Sequence, residues 1–147
     1  MADVGTGTGA IAVAAPDAEV WATDTNAEAI ELARANATWH SVGGRVHAVR
    51  GDLLEPVPGP IDVVVANLPY LPAAEPRPEY DAEPPEAVYA PCDGLGPLQQ
   101  MLDLCADGKV AMPGWVLVQH HRRVLEADCQ HLDELRHRLQ AQARVAA

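Results

Sequence analysis

The chain has 147 residues, 48% hydrophobic and 21% charged, a balance that suits one globular domain with one buried core. A formal net charge of -11 argues against direct nucleic-acid binding, which relies on Lys and Arg neutralising phosphates, so a protein or small-molecule substrate fits better. Cys92, Cys105 and Cys129 form no CxxC pair, no run of about 18 apolar residues offers a membrane span, and no signal-peptide pattern opens the chain; a cytoplasmic, monomeric protein is expected.

In chain order, Val4 ends a short first strand and runs into Gly5-Thr6-Gly7-Thr8-Gly9, after which Ala10 to Ala14 reads as helix. Glu19 to Thr23 reads as a strand ending at Asp24. A helix follows from Asn26, capped by Thr25 or Asn26, with Ala29, Ile30, Leu32, Ala33 and Ala37 as its apolar face. Gly43-Gly44 breaks the chain, Val46 to Val49 is a short strand, and Gly51-Asp52-Leu53-Leu54 follows it. Pro56, Pro58, Gly59 and Pro60 make a turn. Ile61 to Ala66 is the clearest strand, and its β-branched apolar run suits a central parallel strand.

Asn67-Leu68-Pro69-Tyr70 ends that strand. Residues 71 to 93 are rich in Pro and Glu, have no period and read as a long loop. Leu98, Met101, Leu102 and Cys105 mark a helical face, Gly114 to Val118 another strand, and Leu125, Cys129, Leu132, Leu135 and Leu139 an amphipathic helix. Strands and helices alternate, which predicts an α/β fold: a mostly parallel sheet with helices on both faces. His120, His121, Cys129 and His131 match no common zinc spacing, so no metal is expected.

The glycine loop sits between a strand end and a helix start, where glycines admit a bound group close to the backbone and a helix start offers N–H donors. Gly5-x-Gly7-x-x-Ala10 also fits a dinucleotide fingerprint. Asp24 lies 19 positions after Gly5, where a carboxylate can accept hydrogen bonds from both hydroxyls of a ribose. Asp52 is placed to accept from an adenine amino group, with Leu53 packing on the ring. At the tip of the fourth strand, the Asn67 side-chain oxygen and the Leu68 carbonyl can each accept one N–H of a planar nitrogen group. Pro69 stiffens the turn that aims them, and Tyr70 can stack on a flat acceptor.

Together, Asp3-Val4-Gly5-Thr6-Gly7-Thr8-Gly9-Ala10-Ile11-Ala12, Asp24, Gly51-Asp52-Leu53-Leu54 and Asn67-Leu68-Pro69-Tyr70 resemble class I methyltransferases. More narrowly, Leu71-Pro72, Glu83-Pro84-Pro85-Glu86-Ala87-Val88 and Asp93-Gly94-Leu95 make the chain similar to the HemK-type peptide-chain release factor glutamine methyltransferases over roughly residues 2 to 118. The resemblance implies a Rossmann-like sandwich, S-adenosylmethionine as cofactor, and the side-chain amide of a release factor Gly-Gly-Gln loop as acceptor. It implies that Gly5, Thr6, Gly7 and Gly9 cradle the methionine part of the cofactor with Asp3 near its amino group. It further implies that Asp24 binds the ribose, that Asp52 and Leu53 flank the adenine, and that Asn67 holds the acceptor amide beside the cofactor.

Leu68 stands where that family usually has Pro, and Cys92 where it usually has Gly. The first strand is shortened, and neither an N-terminal helical docking domain nor a final β-hairpin is expected; residues 1 to 147 read as a catalytic core. The alternatives are an adenine N-methyltransferase acting on RNA or DNA, a nicotinamide-dependent oxidoreductase that leaves residues 67–70 unexplained, and a non-catalytic truncated remnant.

Overall fold

In the computed structural model, residues 1–119 are described. They divide into two compact units, one of Met1–Asn67 with Lys109–Val118, the other containing Leu68–Gly108. The expected amphipathic helix over residues 125–139, the His120–His131 cluster and the expected lack of a final hairpin lie outside the described residues.

The first unit is a five-stranded sheet in the order β3-β2-β1-β4-β7 with every pairing parallel. Its strands are β1 (Ala2–Val4), β2 (Val20–Asp24), β3 (Val46–Arg50), β4 (Ile61–Ala66) and β7 (Val110–Val118). β1 has three residues, as expected, and lies at the centre. Helices α1 (Ala10–Ala14) and α2 (Ala27–Trp39) connect β1 to β2 and β2 to β3. Both crossovers step the same way across the sheet, so right-handed connections put both helices on one face.

That face is packed with small residues. Ala12, Ala15, Ala22, Ala33, Ala37 and Ala48 join Val20, Ile30 and Val46 in one buried cluster. Small side chains let helix and sheet backbones approach closely. At the tightest point a Cβ on Gly9 would stand 2.9 Å from Cβ of Ala33, so the last glycine of the loop is required by the packing of α1 on α2. Asn26 caps α2, its Oδ1 accepting from Glu28 N at 2.8 Å, which selects Asn26 over Thr25 and contributes about 1 kcal/mol.

No helix links β3 to β4. Residues 51–60 form compact turns in which Leu54 and Val57 are buried and Lys109 Nζ donates to the Val57 carbonyl at 2.9 Å. β7 begins four residues earlier than the Gly114 start expected from sequence. Its register against β4 slips between Ile61 and Val63, which face Val110 and Trp115. The slip contains Pro113-Gly114, where Pro lacks a ladder N–H.

The second unit corrects the expectation of a structureless loop over residues 71–93. β5 (Leu71–Pro72) pairs in parallel with β6 (Tyr89–Ala90), and a 3-10 turn (Pro78–Tyr80) and helix α3 (Pro85–Val88) lie between them. Tyr89 staples the excursion: its hydroxyl accepts from Arg77 N at 2.8 Å and donates to the Arg77 carbonyl at 3.3 Å. Helix α4 (Gly96–Leu104) follows, with Leu98, Met101 and Leu102 buried as their spacing predicted.

Candidate active site

The strand order reverses between β1 and β4, because the chain moves outward through β2 and β3 and then returns to the other side of β1. In open parallel sheets, ligands bind at such a reversal, beyond the carboxyl ends of the strands. Register puts Val4 opposite Thr23 on one side and opposite Ala66 on the other. Gly5, Asp24 and Asn67 are therefore the next residues on three adjacent strands, and neighbouring strands lie about 4.8 Å apart. Asp24 in turn pairs with Arg50, so Gly51 and Asp52 leave β3 at the same end. The sheet brings together these residues, far apart in sequence.

The loop between β1 and α1 is held from two sides. Thr6 N donates to the Thr23 carbonyl at 2.9 Å, and Gly7 N donates to Asp24 Oδ2 at 3.0 Å. Asp24 Oδ1 accepts from Asn26 N at 2.9 Å, so this carboxylate ties the glycine loop to the start of α2. Gly5, Gly7 and Gly9 all have positive φ, at 69°, 53° and 76°. Gly5 is exposed, and a Cβ on Gly7 would meet nothing within 4 Å, so the backbone there is open to its surroundings. Gly9 is buried against Ala33 and stands apart from that open backbone.

Asp3 lies beneath the loop, with 1% of its surface exposed. Its Oδ2 accepts from Thr6 Oγ1 at 2.7 Å and from Ala12 N at 3.1 Å. Ala12 N is one of the helix-start donors expected to be open; it is committed to Asp3. Burial pushes the Asp3 carboxyl above its ordinary value, partly offset by these two hydrogen bonds, and the nearby Asp24 charge raises it further. A raised folded value means that the fold favours the protonated acid. The stabilisation is complete below 3.8 and is lost as pH rises through the folded value. Asp3→Asn keeps an acceptor and removes the buried charge. It is expected to raise the unfolding temperature at pH 7, with the gain over wild type vanishing below pH ~3.5, as thermal melts across pH would show.

Asp52 is exposed, whereas Leu53 is buried at the left-handed φ of 44° and Leu53 O accepts from Thr23 Oγ1 at 2.8 Å. Asn67 is exposed at the tip of β4 and closes the first unit; Leu68, Pro69 and Tyr70 open the second. Leu68 is buried, and Pro69 and Tyr70 are half-buried. Within the second unit the Tyr70 carbonyl lies against Gly94, where an added Cβ would stand 2.3 Å from it. Gly94 has φ 89°, and Asp93 Oδ1 accepts from Leu95 N at 3.1 Å. The segment Asp93-Gly94-Leu95, noted in the sequence only through a family resemblance, thus has a physical reason. In the sequence Thr23 reads as an ordinary strand residue, because its partner lies 30 positions away.

The donor set fits a cationic adenosyl cofactor. An open glycine backbone borders Asp24, and Asp52 follows the end of the next strand; their negative charge suits a sulfonium and their oxygens suit hydroxyl and amine donors. The positive residues of the first unit are spent elsewhere. Arg34 donates to the Ala48 carbonyl, Arg45 to the Ala12, Val13 and Ala18 carbonyls, Arg50 to the Thr25 carbonyl and Lys109 to the Val57 carbonyl. Among the described residues no helix is long and apolar enough to cross a membrane, and no group of three ligating side chains could hold a metal ion.

This parallel sheet, with its glycine loop at the reversal and acidic residues on the neighbouring tips, is the fold of the Rossmann-like class I methyltransferases. It is similar to a ribosomal protein L11 methylase from Lactobacillus delbrueckii subsp. bulgaricus, with a TM-score of 0.64 and 23% identity over 91% of this chain and 57% of that one. Residues 1–78 match the model of the methyltransferase small domain, and the chain belongs to that family. Its relatives include the release factor glutamine methyltransferase of Deinococcus radiodurans, 47% identical over 63% of this chain and 35% of that protein. The ribosomal protein uL3 glutamine methyltransferase of Neisseria gonorrhoeae is 36% identical over 85% of this chain and 44% of that protein. The chain thus spans less than half the length of either.

Proposed function

We propose that this chain is the catalytic core of an S-adenosylmethionine-dependent methyltransferase acting on the side-chain amide nitrogen of a protein glutamine, with a peptide-chain release factor as substrate. The observation that carries the reading is the common register of Gly5, Asp24 and Asn67 at the point where the strand order reverses. The relatives' names support glutamine as the acceptor, and the acidic charge and committed arginines favour a protein over a nucleic acid. We place the reaction in the cytoplasm, with the chain acting as a monomer.

In this reading Gly5, Thr6 and Gly7 cradle the methionine part of the cofactor and Asp24 accepts from the ribose hydroxyls. Asp52 accepts from the adenine amine beside Leu53, and Asp3 holds the loop from below through Thr6 Oγ1 and Ala12 N. When bound, the cofactor supplies a methyl group on a positively charged sulfur. An amide nitrogen is a poor nucleophile because its lone pair is delocalised. Asn67 Oδ1 and the Leu68 carbonyl each accept one N–H, which orients the nitrogen and stabilises the positive charge that develops on it. A Leu in place of Pro at residue 68 keeps that carbonyl. Pro69 fixes the turn, and Tyr70 stacks on the flat amide. As the nitrogen takes the methyl group the sulfur leaves as the neutral thioether S-adenosylhomocysteine, and the strongly acidic N-methylated cation gives its proton to water, so no side chain needs to act as a strong base.

Methyl-labelled S-adenosylmethionine, offered to the full chain with a release factor, ribosomal protein uL3 or bulk RNA, tests the reading. Label on a glutamine of the release factor is expected. Label on uL3 would replace the substrate, label on RNA would replace the acceptor class, and no label would end the proposal.

Asp24→Ala is expected to weaken S-adenosylhomocysteine binding by roughly 1.5–3 kcal/mol, the scale of a hydrogen bond to a charged group. Asp24→Asn keeps an oxygen for Gly7 N or Asn26 N and is expected to lose less. Isothermal titration gives both values, and unchanged affinity in Asp24→Ala refutes the assignment.

A further inference from the structure

We infer that Thr23 is a positioning residue that fixes the adenine-side turn relative to the glycine loop, and so sets the preference of the site for adenine. The inference rests on the cofactor reading above.

Thr23 is the last residue of β2 before Asp24 and is 1% exposed. A buried position on a parallel strand is ordinarily filled by Val, which has the same shape and no polar atom to satisfy. A hydroxyl there must find a partner or incur its desolvation cost. Thr23 Oγ1 donates to the Leu53 carbonyl at 2.8 Å, and the Thr23 carbonyl accepts from Thr6 N at 2.9 Å. One residue therefore holds the loop after β1 through its backbone and the turn after β3 through its side chain. Asp24 repeats the arrangement, with its carboxylate on Gly7 N and its carbonyl accepting from Gly51 N at 3.0 Å.

The turn needs such a hold. Leu53 has φ 44°, a left-handed conformation that a branched side chain adopts only when its surroundings impose it. Leu53 is flanked by exposed Asp52 and buried Leu54. With the Leu53 carbonyl held by Thr23, Leu54 buried and the Asp52 carbonyl accepting from Glu55 N at 3.0 Å, the backbone that carries Asp52 is tied on both sides. Without the Thr23 hydroxyl, the turn can relax towards right-handed geometry and carry the Asp52 carboxylate with it. Recognition of an exocyclic amine depends on such a fixed acceptor, because an acceptor that moves away from the amine discriminates poorly.

The test uses the full chain titrated calorimetrically with S-adenosylhomocysteine and with S-inosylhomocysteine, whose purine carries an oxygen in place of the amine. The wild-type chain is expected to prefer the adenosyl compound about tenfold. Thr23→Val is expected to reduce that preference to about twofold or less, whereas Thr23→Ser, which keeps the donor, retains it. Thr23→Cys, close in size with a weak donor, is expected to fall between them and serves if the valine variant does not fold. A residue that only stabilises the fold lowers the unfolding temperature and leaves the preference unchanged. Wild-type preference in Thr23→Val, or in Thr23→Cys where valine does not fold, overturns the inference alone. Failure of the wild-type chain to bind either compound overturns the cofactor reading and this inference together.

Discussion

Asn67→Ala is expected to reduce methyl transfer by about a thousandfold while leaving affinity for S-adenosylhomocysteine within about threefold, because in the proposed function the side chain acts on the acceptor nitrogen and on the charge that develops there. Asn67 stands at the tip of β4, exposed, one strand away from Gly5. Removing its amide leaves the Leu68 carbonyl alone to hold the acceptor, and a group held at one N–H rotates freely about that contact. Single-turnover transfer from labelled S-adenosylmethionine separates this from product release, and titration with S-adenosylhomocysteine reads the binding. A collapse of cofactor affinity in parallel with the rate would make Asn67 a cofactor ligand and remove its role towards the acceptor. Asn67→Asp keeps an acceptor oxygen and adds a charge beside the reacting groups, and it is expected to recover only part of the rate.

Gly94→Ala is the second large effect. The added methyl would stand 2.3 Å from the Tyr70 carbonyl oxygen and 2.9 Å from its carbon, against backbone that cannot rotate aside. At φ 89° an alanine is strained even in open space. Together the two penalties are expected to destabilise the second unit by about 3 kcal/mol. Relief by movement of Tyr70 is expected to cost transfer about a hundredfold. Cofactor affinity is expected to hold, since Gly5, Gly7 and Asp24 belong to the other unit. Gly96→Ala is the matched control: nothing lies within 4 Å of its Cβ position, and the residue opens α4. Thermal melts and labelling of the two variants side by side decide the matter, and equal behaviour would remove the special role of residue 94.

Much of this was legible in the sequence because the sheet is parallel and its connections are short. The apolar run from Ile61 to Val65 announces an interior parallel strand, although Asp62 is exposed and Val63 and Val65 are only half-buried. Asp24, Asp52 and Asn67 each lie at a strand end or within two residues of it, so all three could be assigned to one edge from element order alone. What escaped are features fixed by contacts distant in sequence. Two-residue strands such as Leu71–Pro72 and Tyr89–Ala90 are too short to show a period, so an ordered excursion reads as a loop. The burial of Asp3 cannot be read from a residue type that is mostly exposed elsewhere. Thr23 looks like any strand threonine until Leu53 is seen beside it. Cys92, noted as standing in place of a usual Gly, has φ 57°, which supplies the reason for glycine at that position.

The strand pairings also differ in how far the chain must travel to make them. Val4 and Ala66 are about sixty residues apart, a wider separation than in any other pairing of the described sheet. Closing so long a loop costs more configurational entropy than joining β1 to β2 or β2 to β3. The seam between β1 and β4 is thus the costliest to zip up, and it carries Gly5 and Asn67 beyond its end. In the proposed function the methionine part of the cofactor rests on the glycine loop at the end of this seam, so its binding free energy adds to that closure and hydrogen exchange along the seam is expected to slow when S-adenosylhomocysteine is bound.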